Sequence, residues 1–82
     1  MTEDEKYLRA VGQQLRAEIA ASGRSAASVA RMIDMDKTQL HRYLHGTRDI
    51  PSTTLKRICA AIGITPAVVL DRAEQRMDAD SE

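Results

Sequence analysis

The sequence predicts an all-α fold of five short helices, and three observations carry that prediction. Apolar residues recur at every third or fourth position in each candidate segment, the spacing that lines one face of a helix. Stops and starts alternate along the chain, with Gly23 before Ser25, Gly46 before Pro51, and Gly63 before Thr65 and Pro66. No stretch alternates apolar and polar residues as a half-buried strand does. With no Phe or Trp and only two Tyr, the core has to be filled by Leu, Ile, Val, Met and Ala, which suits closely packed helices.

Residues 1–4 are expected to be frayed, and the folded domain to span 5–76. The first helix should run from Glu5 to Ser22, with Leu8, Val11, Leu15 and Ile19 on one face. Its early acids, Glu3, Asp4 and Glu5, suit the positive N-terminal end, and Gly23 is placed to stop it. Ser25 can cap a second helix, Ala26 to Ile33, that buries Val29, Ala30 and Ile33. Asp34 and Met35 make the turn, and Asp36 caps a third helix ending at Gly46 in a left-handed conformation. On that helix Leu40, Tyr43 and Leu44 share one arc, whereas Lys37, Thr38, His41, Arg42 and His45 share the opposite one.

Residues 47–51 read as a loop with Ile50 tucked under it. Ser52 or Thr53 starts a fourth helix carrying Leu55, Ile58, Cys59 and Ile62, closed by Gly63. Thr65 and Pro66 are a cap and a first-turn proline for a fifth helix reaching about Arg76, with Val69, Leu70 and Ala73 inward and Val68 exposed. The acidic tail, 77–82, is expected to be disordered.

Eighty-two residues provide one small core and no room for a second. Cys59 is alone, so no intramolecular disulfide can form, and its apolar setting reads as a buried position suited to a reducing cytoplasm. The N-terminal stretch is acidic without an apolar signal core, and no apolar run has membrane-spanning length. Net charge is zero but unevenly spread: Arg24 to Arg57 holds seven basic residues against three acidic, while both flanks are net acidic. A one-sided positive patch follows, compatible with a nucleic-acid partner.

Several residues together resemble the phage repressor and Cro family of helix-turn-helix proteins, also called Xre-like. They are Ala30 in the second helix, Leu40 and Tyr43 at the inward positions of the third, the Leu-His-Gly end of that helix, Pro51, and the closing stretch LKRICAAIGITPAVVL. The match covers roughly Leu8 to Ala73. It implies a five-helix lambda-repressor-like DNA-binding domain that reads a double-stranded operator as a transcriptional regulator, as a homodimer at least on DNA. It departs from the family pattern at Asp34, where Gly is usual, at Tyr43, where an aliphatic is usual, and at Ala26, where Gln often meets the DNA backbone.

In this family the second helix of the motif lies in the major groove. Carried onto this chain, the resemblance nominates Lys37, Thr38, His41 and Arg42 as base readers, and Gln39 and His45 for base or backbone. Arg24, Ser25, Arg31, Tyr43, Thr47 and Arg48 are nominated for the DNA backbone, which sets register without reading sequence. The two histidines lack a convergent Cys or carboxylate, so no metal site is expected. No cofactor, small-molecule ligand or membrane partner is implied, and no paired nucleophile and base suggests an enzyme. Two alternatives share the fold: an antitoxin or anti-repressor acting mainly on another protein, and a DNA-bending recombination factor.

Overall fold

A computed structural model describes residues 1–80. Its helices are α1 (Glu3–Ala21), α2 (Ala26–Met32), α3 (Lys37–Leu44), α4 (Ser52–Ile62) and α5 (Pro66–Asp80), with no strand among the described residues.

Helix α1 starts two residues earlier than its apolar stripe suggests, because cap chemistry sets its beginning. The Thr2 hydroxyl accepts from the Glu5 N–H at 3.1 Å, and the Glu5 carboxylate accepts from the Thr2 N–H at 3.4 Å. This reciprocal box satisfies two otherwise free donors. Glu3 and Asp4 are therefore helical, which corrects the expected frayed end at residues 1–4. The buried side of α1 is Ala10, Val11, Gly12, Gln14, Leu15 and Ile19, with Leu8 half-buried at its margin.

Gly12 lets α3 come into backbone contact with α1. A Cβ on Gly12 would lie 2.8 Å from the Leu44 carbonyl carbon and 3.0 Å from the Tyr43 carbonyl oxygen. Neither atom belongs to a side chain that could swing away. Gly46, just beyond α3, is held equally close, since its Cβ would meet the Arg9 Cα at 2.8 Å. Two glycines thus seat the end of α3 on α1.

Helices α2, α3 and α4 end in the same way. After α2, the Met35 N–H bonds to the Ala30 carbonyl at 2.8 Å and the Asp34 N–H to Arg31 at 3.2 Å, with Asp34 left-handed at φ 54. After α3, Thr47 bonds to Arg42 and Gly46 to Tyr43; after α4, Ile64 bonds to Cys59 and Gly63 to Ala60. Each is the paired closure that satisfies the last carbonyls of a helix. The Arg57 guanidinium, from α4, also donates to the Ile33 carbonyl and so braces the turn between α2 and α3.

Asp34 fills a position that favours glycine, and its carboxylate lies at the negative end of α2. Asp34→Gly is therefore expected to stabilise the fold by about 1 kcal/mol, combining backbone relief with removal of an unfavourable charge. Thermal unfolding at low and high salt checks this, and a lower melting temperature in the variant would contradict it.

In α4, Leu55, Ile58 and Cys59 are buried and Ile62 is half-buried, while Ile50 packs against the core from the preceding loop. Burial, with a smaller push from the Glu18 charge, raises the Cys59 thiol to about 11, so it stays protonated and unreactive. Helix α5 opens with the Thr65 hydroxyl accepting from the Val68 N–H at 3.3 Å. It continues to Asp80 because no Gly or Pro follows Pro66 to stop it. This corrects the expected end at Arg76 and the disordered tail from Met77, though Ser81 and Glu82 lie outside the described residues. Val69 and Ala73 are buried, Leu70 is half-buried, and Val68 is half-buried rather than exposed.

Helices α1 and α5 form the most extensive helix pair, and a polar clasp crosses it. The Arg72 guanidinium donates to Glu18 at 2.5 Å, the Gln14 side-chain amide donates to the same carboxylate at 2.6 Å, and Arg76 donates to the Gln14 side-chain oxygen Oε1 at 2.6 Å. The Arg72 hydrogen bond is the main cause of a Glu18 pKa below the usual carboxylate value. A depressed carboxylate stabilises the folded state above its unfolded pKa, and that contribution disappears as pH falls through the folded value. Arg72 is half exposed, so Glu18→Gln is expected to cost only about 1 kcal/mol at neutral pH. The difference from the parent protein should begin to shrink near the ordinary carboxylate pKa of about 4 and vanish only below the depressed folded-state value, as measured by urea unfolding across that range. A difference that persists at low pH would assign the effect to packing instead.

Candidate nucleic-acid interface

Helix α3 is built to be anchored on one side and open on the other. The Asp36 carboxylate accepts from the Thr38 N–H at 2.9 Å and fixes where the helix begins. Leu40, Tyr43 and Leu44 are buried against α1 and the rest of the core. Lys37, Thr38, Gln39, His41, Arg42 and His45 are all exposed, so the helix presents its predicted outward arc entire.

Some of the chain's cations are free and others are held by internal partners. Arg72 and Arg76 are consumed by the α1–α5 clasp, and Arg57 by the Ile33 carbonyl. Among the described residues, Arg24, Arg31, Lys37, Arg42 and Arg48 are exposed and make no side-chain hydrogen bond or ion pair. Unpaired guanidinium and ammonium groups at the surface are what phosphate binding requires.

The remaining nominated residues fall into different environments. The Ser25 hydroxyl accepts from the Ser28 N–H at 3.1 Å, so it caps α2 while lying at the exposed start of the motif. The Thr47 hydroxyl donates to the Arg42 carbonyl at 3.1 Å, the same carbonyl its backbone N–H uses. Its donors are thus committed to closing α3. Tyr43 is only 4% exposed, which keeps it below the surface where a direct phosphate contact was expected. Its hydroxyl instead accepts from the Gln39 side-chain amide at 2.9 Å.

His41 and His45 lie one turn apart with ring centroids 4.1 Å from each other, tilted by 35°. Desolvation first, then the charges of His41 and Arg16, lower the His45 pKa. Protonation of His45 therefore sets in at a lower pH than for a free imidazole. Among the described residues no group of three or more His, Cys, Asp or Glu is arranged to hold a metal ion.

Arg16 is a basic residue that the sequence reading did not single out. It projects from α1 beside His45, and with Arg24 it rims a shallow cleft floored by Ile19, Ala20, Ala26 and Leu44. The available signal was its spacing of three and four from the buried Ile19 and Gly12. That spacing marks a helix edge without saying which neighbour the edge meets.

A helix-turn-helix with a short, exposed, basic second helix defines a class, and comparison with known proteins places the chain in it. The family model described as a helix-turn-helix domain matches residues 10–72. The chain belongs to this family of DNA-binding transcriptional regulators, in its Xre-like form. Among solved structures it is similar to the clp gene regulator ClgR from Corynebacterium glutamicum, at 25% identity and a TM-score of 0.87, covering 92% of this chain and 80% of that one. A second crystal structure of the same regulator gives 27% identity and a TM-score of 0.82, covering 87% and 92%. The restriction-modification controller protein C.AhdI from Aeromonas hydrophila shares the fold at 24% identity and a TM-score of 0.72, covering 76% and 94%. No curated protein sequence matches the chain.

Among the described residues, no single helix is long and apolar enough to cross a membrane.

Proposed function

We propose that this protein is a sequence-specific transcriptional regulator of the small repressor or Cro kind, with α3 in the major groove of a double-stranded operator. The observation that carries the reading is the exposed arc of α3, whose cations have no partner within the described chain while its opposite side is buried. Lys37 and Arg42 have the chemistry to donate to guanine O6 and N7, and Thr38 offers a hydroxyl and a methyl to base edges. His41 joins them, and His45 lies at the end of the same arc. Arg24, Arg31 and Arg48 flank the helix for phosphates, with Ser25 at the start of α2, and Arg16 extends the positive surface onto α1. Gln39 is the route by which the buried Tyr43 takes part.

The protein acts as a homodimer on DNA and without a cofactor, in the cytoplasm where its target lies, and it is not an enzyme. Half-buried Val68 on one flank of α5, or Leu70 and Met77 on the opposite flank, offer an apolar edge for the second copy, and doubling a small set of base contacts raises selectivity. Selection of bound sequences from a random duplex pool tests the reading. Recovery of a two-fold site with half-sites about one helical turn apart is expected. Failure to bind any duplex at low salt would favour the protein-binding alternative.

A further inference from the structure

Gln39 was open to either a base or a phosphate, and one hydrogen bond within α3 separates these roles. The Tyr43 hydroxyl accepts a side-chain N–H of Gln39 at 2.9 Å. The two residues are four apart, the separation at which helical side chains meet. Tyr43 is itself 4% exposed and packed with Leu40 and Leu44 on the buried side, so the hydroxyl is a fixed point. Gln39 is exposed, and without this bond its amide would sample several rotamers.

A carboxamide has two N–H groups and one carbonyl oxygen. Tyr43 takes one N–H, leaving the oxygen and the second N–H. That remaining pair is the acceptor and donor set that matches adenine N6 and N7 in the major groove. A phosphate, which only accepts, could use half of it. We infer that Gln39 is an adenine-reading residue held in its reading rotamer by the Tyr43 hydroxyl, so that Tyr43 is a positioning residue for operator specificity. Tyrosine at a position usually aliphatic in this family then has a chemical reason: the ring fills the core and the hydroxyl steadies a reader.

The inference rests on α3 lying in the major groove, and its test distinguishes the two. Bound sequences are selected from a random duplex pool with the parent protein, Gln39→Ala, Tyr43→Phe and the double variant. The parent should prefer adenine at one position of each half-site. Gln39→Ala should reduce that preference roughly tenfold. Tyr43→Phe, which removes only the hydroxyl, should reduce the same preference about threefold. All other positions should be unchanged, and the double variant should be no worse than Gln39→Ala. A purely structural Tyr43 would affect every position alike, and thermal unfolding of Tyr43→Phe reports fold integrity separately. If the parent selects a site and Tyr43→Phe keeps the full adenine preference, this inference is overturned and the DNA-reading proposal stands. If the parent selects no sequence, both fall.

Discussion

Gly46→Ala is expected to lower the unfolding free energy by about 3 kcal/mol, the sum of a left-handed backbone penalty and overpacking. At φ 68 the backbone disfavours a side chain, and the added methyl would press on the Arg9 backbone at 2.8 Å. Gly63→Ala separates the two causes. Gly63 has φ 78, but nothing lies within 4 Å of a Cβ placed there. It should lose only the backbone part, about 1 kcal/mol. Chemical denaturation of both variants measures the difference, and equal losses would mean that the seat of α3 on α1 is not tightly packed. Because Gly46 lies just beyond the His45 cap of the proposed reading helix, its substitution should also weaken DNA binding beyond what partial unfolding explains.

The second large effect is on recognition. Lys37→Ala and Arg42→Ala are each expected to cost roughly 1–3 kcal/mol on the selected operator and to relax preference at a single base position. Both side chains are exposed and unpaired within the described chain, so neither change should lower stability by more than about 0.5 kcal/mol. Titrating each variant against the selected operator and a mixed duplex separates the terms. A uniform loss across all sequences would place that residue on phosphate, and no loss for either would remove α3 from the groove.

Much of this architecture was legible in the chain because its helices carry strong local signals. The three-and-four spacing through Leu8, Val11, Leu15 and Ile19 and the punctuation at Gly46, Gly63 and Pro66 act over a few residues, and the structure follows them. The helix ends were less legible. Apolar spacing reports which part of a helix is buried, whereas α1 is extended by the Thr2 cap beyond its stripe and α5 runs past Ala73 on a mostly polar segment that no Gly or Pro interrupts. The contact of Gly12 with Leu44 could not be read, since it depends on two helices meeting across more than thirty residues of sequence. The outward arc of α3 was legible from periodicity. The commitment of Thr47, Arg57 and Tyr43 to internal partners was not, because a polar residue type does not disclose whether its hydrogen bond goes inward or outward.

The chain of contacts from α3 through Gly12 and Gly46 to α1, and from α1 through the Glu18, Gln14, Arg72 and Arg76 clasp to α5, has a mechanical meaning. It joins the proposed reading helix to the proposed dimer edge through rigid packing, with no flexible linker between them. Two copies paired at α5 would then act as a calliper of fixed opening. Each base pair added between half-sites turns the groove by roughly 35°, and such a calliper cannot follow it. One inserted base pair should therefore be punished far more severely than a change in the spacer's composition.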